Sequence, residues 1–185
     1  MAGLRDRPSQ VILLLALLLS AMPSLAGQPA SARWSLTQDA VQAAPGARLQ
    51  VGIKVRLDPG SYIYSTRKFE PGPQPTSFSL GPASLATLDG PVGHPPPKLE
   101  WNEGFKVQLE MLEGDVVFQV PLLVSAQAPP GEHTLDLLVA SQTCTHSTCL
   151  LPRKNKLALK LVVSAAAPGP ATPAWLRAAD EVAEA

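Results

Sequence analysis

Leu49-Gln-Val-Gly-Ile-Lys-Val-Arg-Leu57 puts an apolar side chain at every odd position, with Gln50, Lys54 and Arg56 between them. A period of two sends the apolar set to one face of an extended chain, so the segment predicts a half-buried strand. A helix would scatter the same residues around its circumference. Phe105, Val107, Leu109 and Met111 alternate with Lys106, Gln108 and Glu110 in the same way. Val116 to Val124, Leu135 to Ala140 and Leu157 to Val163 are further apolar runs with β-branched content. Shorter strand candidates are Arg33 to Thr37, Tyr62 to Ser65 and Thr76 to Leu80.

Turn signals separate these runs. Ala44-Pro-Gly46, Asp58-Pro-Gly60 and Pro129-Pro-Gly131 set Gly beside Pro. Glu113-Gly-Asp115, between two apolar runs, predicts a tight hairpin. Gly81 to Lys98 is rich in Pro and Gly and predicts an irregular loop. Twenty prolines in 185 residues argue against a helical bundle. Seven to eight short strands predict an all-β, immunoglobulin-like β-sandwich. The widely separated inter-sheet cysteines of antibody domains are absent.

The chain opens like an exported protein. Arg5 and Arg7 precede an apolar run from Val11 to Leu19, Pro23 ends it, and Ser24-Leu25-Ala26 offers a cleavage site. The run is shorter than the ~20 residues a spanning helix needs. The expected organisation is a signal peptide at 1–26, a folded domain at 27–164, and a Pro/Ala-rich linker with a short tail at 165–185. No stable membrane insertion is expected after cleavage. The 15 basic and 15 acidic residues balance, which gives no reason to expect a nucleic-acid partner.

Cys144 and Cys149 are the only cysteines. In an exported chain the simplest reading is a disulfide between them. If they flank a hairpin turn, they can face each other on antiparallel strands, inside the distance a disulfide accepts. So small a ring stabilises by roughly 2 kcal/mol, against about 4.7 for a 100-residue loop. The spacing leaves a redox pair, a local clip in a non-enzymatic binding module, and a metal site all open. His146 lies between the cysteines, and Arg153, Lys154 and Lys156 follow. These cations either favour a reactive thiolate or are solvated surface charges. Cys144, His146 and Cys149 could ligate copper or zinc, although His94 and His133 have no ligand spacing to them. No Gly-x-Ser-x-Gly, phosphate-binding glycine loop or His-Glu-x-x-His occurs.

Three motifs in order resemble the amino-terminal periplasmic domain of the thiol:disulfide interchange protein DsbD. They are Asp58-Pro-Gly-Ser-Tyr-Ile-Tyr64, the Glu103-Gly-Phe105 segment, and Gln142-Thr-Cys144 followed by Cys149-Leu-Leu-Pro152. The resemblance runs from Trp34 to Val163. It implies an immunoglobulin-like fold with the cysteines at one end, and dithiol–disulfide exchange with thioredoxin-fold periplasmic proteins. It implies Cys149 as attacking thiol and Cys144 as resolving thiol, with Tyr62 and Tyr64 beside them. It also implies Glu103 and Phe105 in a cap that shields the bond. Ser141 stands where the family often has Tyr, and Gly104 interrupts the cap segment. Family proteins add a membrane electron carrier and a thioredoxin-like domain. The expectation here is therefore a separate membrane electron carrier of DsbD type, with no dissociable cofactor and no metal.

Overall fold

A computed structural model describes residues 31–165. The predicted signal peptide and most of the predicted tail lie outside the described residues. All regular structure within them is β, in 12 strands. The strands are β1 (Ala32–Leu36), β2 (Ala40–Ala43), β3 (Arg48–Leu57), β4 (Ser61–Tyr64), β5 (Ser77–Leu80) and β6 (Ala86–Leu88). They continue with β7 (Lys98–Asn102), β8 (Val107–Glu113), β9 (Asp115–Val124), β10 (Gly131–Ser141), β11 (Thr143–Thr145) and β12 (Arg153–Val163).

Three four-stranded sheets result, in the orders β1-β3-β9-β6, β2-β12-β10-β5 and β11-β4-β8-β7. The first two form the sandwich predicted from the alternating runs. Val51, Ile53, Val120 and Leu122 of the first sheet meet Leu135, Leu137, Leu159 and Leu161 of the second in one buried cluster. Each fully buried apolar side chain of this kind stabilises by roughly 1.5–3 kcal/mol. Trp34, Phe78 and Phe118 close the core, with ring centroids 5.8 Å apart for Trp34–Phe118 and 5.0 Å for Phe78–Phe118.

Gly52 interrupts the polar side of β3 for a packing reason. A Cβ there would lie 2.2 Å from Thr37 Oγ1. Thr37 uses this approach to donate both its N–H (2.9 Å) and its hydroxyl (3.1 Å) to the Gly52 carbonyl.

The predicted hairpin at Glu113–Asp115 does not form. Met111 and Glu113 pair with Tyr64 and Tyr62, and Asp115 and Val117 then pair with Arg56 and Lys54. The chain does not reverse, so β8 and β9 are one ribbon kinked at Gly114, whose φ is 71°. The Gly114 carbonyl still accepts from Leu57 N–H (3.0 Å), while Asp58–Gly60 bulges out opposite. The extra residues sit on one strand of the pair, which bends a ladder without ending it. The third sheet is the continuation of the first beyond this kink.

Smaller differences have local causes. The Gly81–Lys98 stretch, expected to be irregular, contains β6, because Ala86–Leu88 finds the free edge of β9. Phe105 falls outside the strand its alternation suggested and sits in the turn between β7 and β8. The four strands beyond the eight expected are the short β2, β6, β7 and β11.

Candidate functional site

β10 and β12 form a long antiparallel hairpin from Gly131↔Val163 to Ser141↔Arg153. Residues 142–152 close its end and carry both cysteines. Within that closure β11 leaves the second sheet and pairs with β4 of the third, placing Cys144 opposite Tyr62. The connection thus belongs to one sheet at its ends and to another in its middle.

Local hydrogen bonds set the shape of the loop. Leu150 N–H donates to the Thr143 carbonyl (2.9 Å), and Thr145 N–H to the Thr148 carbonyl (2.7 Å). Gln142 Nε2 donates to the Leu150 carbonyl (3.0 Å), which is the structural use of the glutamine two residues before the first cysteine. The backbone places Cys144 and Cys149 as facing residues in an antiparallel bridge. Their Cα atoms are 4.0 Å apart and their sulfurs are bonded.

The two ends of the bond have different surroundings. Cys144 is completely buried, while Cys149 is exposed. Cys144 packs in a cluster with Tyr64, Leu109 and Met111, to which Tyr62, Phe69, Phe105 and Val107 add partly buried faces. Tyr62 meets Tyr64 edge-on at 5.6 Å and lies 6.3 Å from the ring of exposed His146. Burial, with the neighbouring Tyr62 phenol adding, pushes the Tyr64 hydroxyl well above the usual phenol range. Tyr64 is therefore a neutral wall of the cluster at neutral pH.

The segment from Glu103 to Lys106 is the tip of the β7–β8 hairpin. Phe105 N–H donates to Asn102 Oδ1 (3.0 Å), and Lys106 N–H to the Asn102 carbonyl (2.8 Å). Lys106 adopts a left-handed φ of 59°. Glu103 receives Trp101 Nε1–H at 2.8 Å on one oxygen and Lys106 Nζ at 2.6 Å on the other. Glu103 thus orders the tip, and it is Phe105 that reaches the cysteine cluster.

A match to the family model described as "Thiol:disulfide interchange protein DsbD, N-terminal" covers residues 32–161. The chain belongs to this DsbD N-terminal family. No curated protein matches it. Among solved structures it is similar to BcpA, the major pilin subunit of Bacillus cereus, with 8% identity and a TM-score of 0.44 over 73% of this chain and 40% of that one. A family 123 glycoside hydrolase from Clostridium perfringens is 7% identical over 72% of this chain and 27% of that one, with a TM-score of 0.36. The chain spans less than half the length of either structure.

Sequence reading had not singled out one feature of this DsbD-type domain. Phe69 lies in a Pro-rich loop with no strand pattern, yet it packs on the Cys144 cluster and lines a groove with Phe105. Arg67 lays its guanidinium 4.9 Å from the Phe69 ring centroid and bonds Glu110 Oε1 at 3.0 Å. Ser65 donates to the other Glu110 oxygen at 2.6 Å. Burial opposes ionisation of Glu110, but the bonds from Ser65 and Arg67 outweigh it and hold the carboxyl below its usual range. The cations after Cys149 were singled out, and one of them is a surface charge. Lys156 pairs with Asp136 at 2.7 Å and serves the strand surface. Among the described residues no group of three or more His, Cys, Asp or Glu side chains could hold a metal ion. Within the same residues no helix is long and apolar enough to cross a membrane.

Proposed function

We propose that this chain is a periplasmic thiol–disulfide exchange domain, exported by residues 1–26, that passes electrons through Cys144 and Cys149 to or from thioredoxin-fold partners. The observation that carries the reading is the unequal burial across the bond, with Cys144 fully enclosed and Cys149 exposed. Exchange proceeds by attack of a thiolate on a disulfide sulfur, so access selects the sulfur. Cys149 is then the residue that forms the mixed disulfide, and Cys144 the residue that resolves it.

In the donating direction the Cys149 thiolate attacks one sulfur of an oxidised partner. A Cys149–partner bond forms, and the partner's second sulfur leaves as a thiolate and takes a proton. Deprotonated Cys144 then attacks Cys149 Sγ, and the partner's first sulfur leaves. The partner gains two electrons and the Cys144–Cys149 bond is restored. A membrane electron carrier of DsbD type would return the pair to the dithiol. Tyr62, Tyr64, Phe69 and Phe105 cover the buried side of the bond, so a reactant must come from the Cys149 side. His146 flanks that approach.

The test is trapping. Cys144→Ala should accumulate a mixed disulfide through Cys149 with a thioredoxin-fold protein, and Cys149→Ala should not. No trapped species under conditions that trap a known exchanging pair would remove the reading. A reduction potential below about −300 mV would instead mark a structural clip in a binding module.

A further inference from the structure

Nearly every Lys and Arg among the described residues pairs with a carboxylate: Arg33, Arg48, Lys54, Arg56, Arg67 and Lys68 near the first and third sheets, then Lys98, Lys106, Lys156 and Lys160. Among the described residues Arg153 and Lys154 alone have no such partner. They are consecutive, both are exposed, and they begin β12 where the cysteine loop rejoins it. Strand alternation sends them to opposite faces, so positive charge flanks the strand on both sides. A surface that neutralises its other cations internally leaves these two to act outward.

An apolar residue stands beside them. Leu151 is 85% exposed, more than any other large hydrophobic among the described residues, and lies two positions after Cys149. A single exposed Leu is ordinary on a protein surface. This one is held out by a fixed backbone, because Leu150 is anchored through its N–H to Thr143 and through its carbonyl to Gln142. Leu150, Leu151 and Arg153 line a shallow groove with Ser141 and Thr143. Leu151 and Arg153 follow Cys149 by two and four residues, within about 7 and 14 Å of it even along an extended chain, so a partner sulfur that reaches Cys149 brings its surrounding surface close to both.

We propose, on the exchange reading above, that the end of the sandwich at Leu151, with Arg153 on one side of β12 and Lys154 on the other, is the docking surface for the redox partner. That partner is a thioredoxin-fold protein whose active-site cysteine sits in an apolar collar with an acidic rim. Leu151 enters the collar, and the two cations steer and orient the encounter. Opposite charge around a reacting pair raises the association rate and is screened by salt.

The experiment compares the rate of oxidation of the reduced domain by an acidic thioredoxin, in its disulfide form, with its rate of oxidation by the small disulfide of 2-hydroxyethanethiol. The ratio of the two should fall about tenfold in Arg153→Glu/Lys154→Glu, and by a similar factor in Leu151→Asp. In the wild type it should also fall as salt rises from about 20 to about 150 mM, where the screening length drops to about 8 Å. Arg48→Glu, which reverses one charge at the other end of β3, should change it far less. An unchanged ratio in both docking variants overturns the docking face and leaves exchange standing. Variants that keep the ratio but lose binding to anionic phospholipid vesicles would assign the cations to a membrane surface and also overturn it. Wild-type protein that reacts with the small disulfide but with no thioredoxin-fold protein removes the exchange reading, and the docking face with it.

Discussion

Tyr62 is the direct ladder partner of Cys144, across β4 and β11. Its ring spans from Tyr64, at the buried end of the bond, to His146 in the turn between the two cysteines. The aromatic wall over the disulfide is therefore built largely from third-sheet residues and the segments that flank them.

Phe105 and Phe69 approach that wall from different segments and should both restrict small reductants. Phe105→Ala and Phe69→Ala are each expected to speed reduction by dithiothreitol by about threefold to tenfold, where tenfold corresponds to about 1.4 kcal/mol of barrier. Stopped thiol-trapping kinetics would measure this. Unchanged rates in both variants would mean that neither ring shields the bond.

Glu110 makes part of the Phe69 support dependent on pH. Its folded carboxyl titrates below its ordinary value, so the unfolded chain binds the proton more readily. The resulting stability is fully present above the unfolded value of about 4.3 and is lost as pH falls through the lower folded value. Glu110→Gln should lower the unfolding free energy at pH 7 by about 1–2 kcal/mol, because hydrogen bonds to a charged group are lost. The gap between variant and wild type should narrow in urea titrations toward pH 3.

Reduction should leave the domain folded. The ring closed by Cys144 and Cys149 is small, and the β10–β12 hairpin already brings its ends together. Loop closure limits the loss on reduction to roughly 2 kcal/mol. Denaturant unfolding of the oxidised and reduced forms would check this. A reduced form without near-native β signal would identify the bond as a staple.

Gly52→Ala tests the packing reason given for an otherwise odd glycine in a central strand. The added methyl meets Thr37 Oγ1 and must displace it from the Gly52 carbonyl. An overpacking cost of about 1–3 kcal/mol is expected, measured as a shift in denaturant midpoint. The thioredoxin exchange rate should not change.

Period-two alternation from Leu49 to Leu57 and the apolar runs at Val116, Leu135 and Leu157 were enough to place the main strands and the sandwich. Alternation is a local property, and it reports burial of one face whatever lies across from it. The five-residue separation of Cys144 and Cys149 likewise made their pairing legible, since any turn between them brings them together. Tertiary structure alone decided the rest. It carried the ribbon through a kink at Gly114 without reversal, because β3 and β4 supply partners on either side of it that are remote in sequence. It buried Cys144 and exposed Cys149, because β11 pairs with β4 while the second half of the loop has no such neighbour. It brought Phe69 to the cysteines and, among the described residues, left Arg153 and Lys154 without carboxylates. Burial and charge pairing at these positions depend on segments remote in the chain, and no spacing along the sequence encodes them.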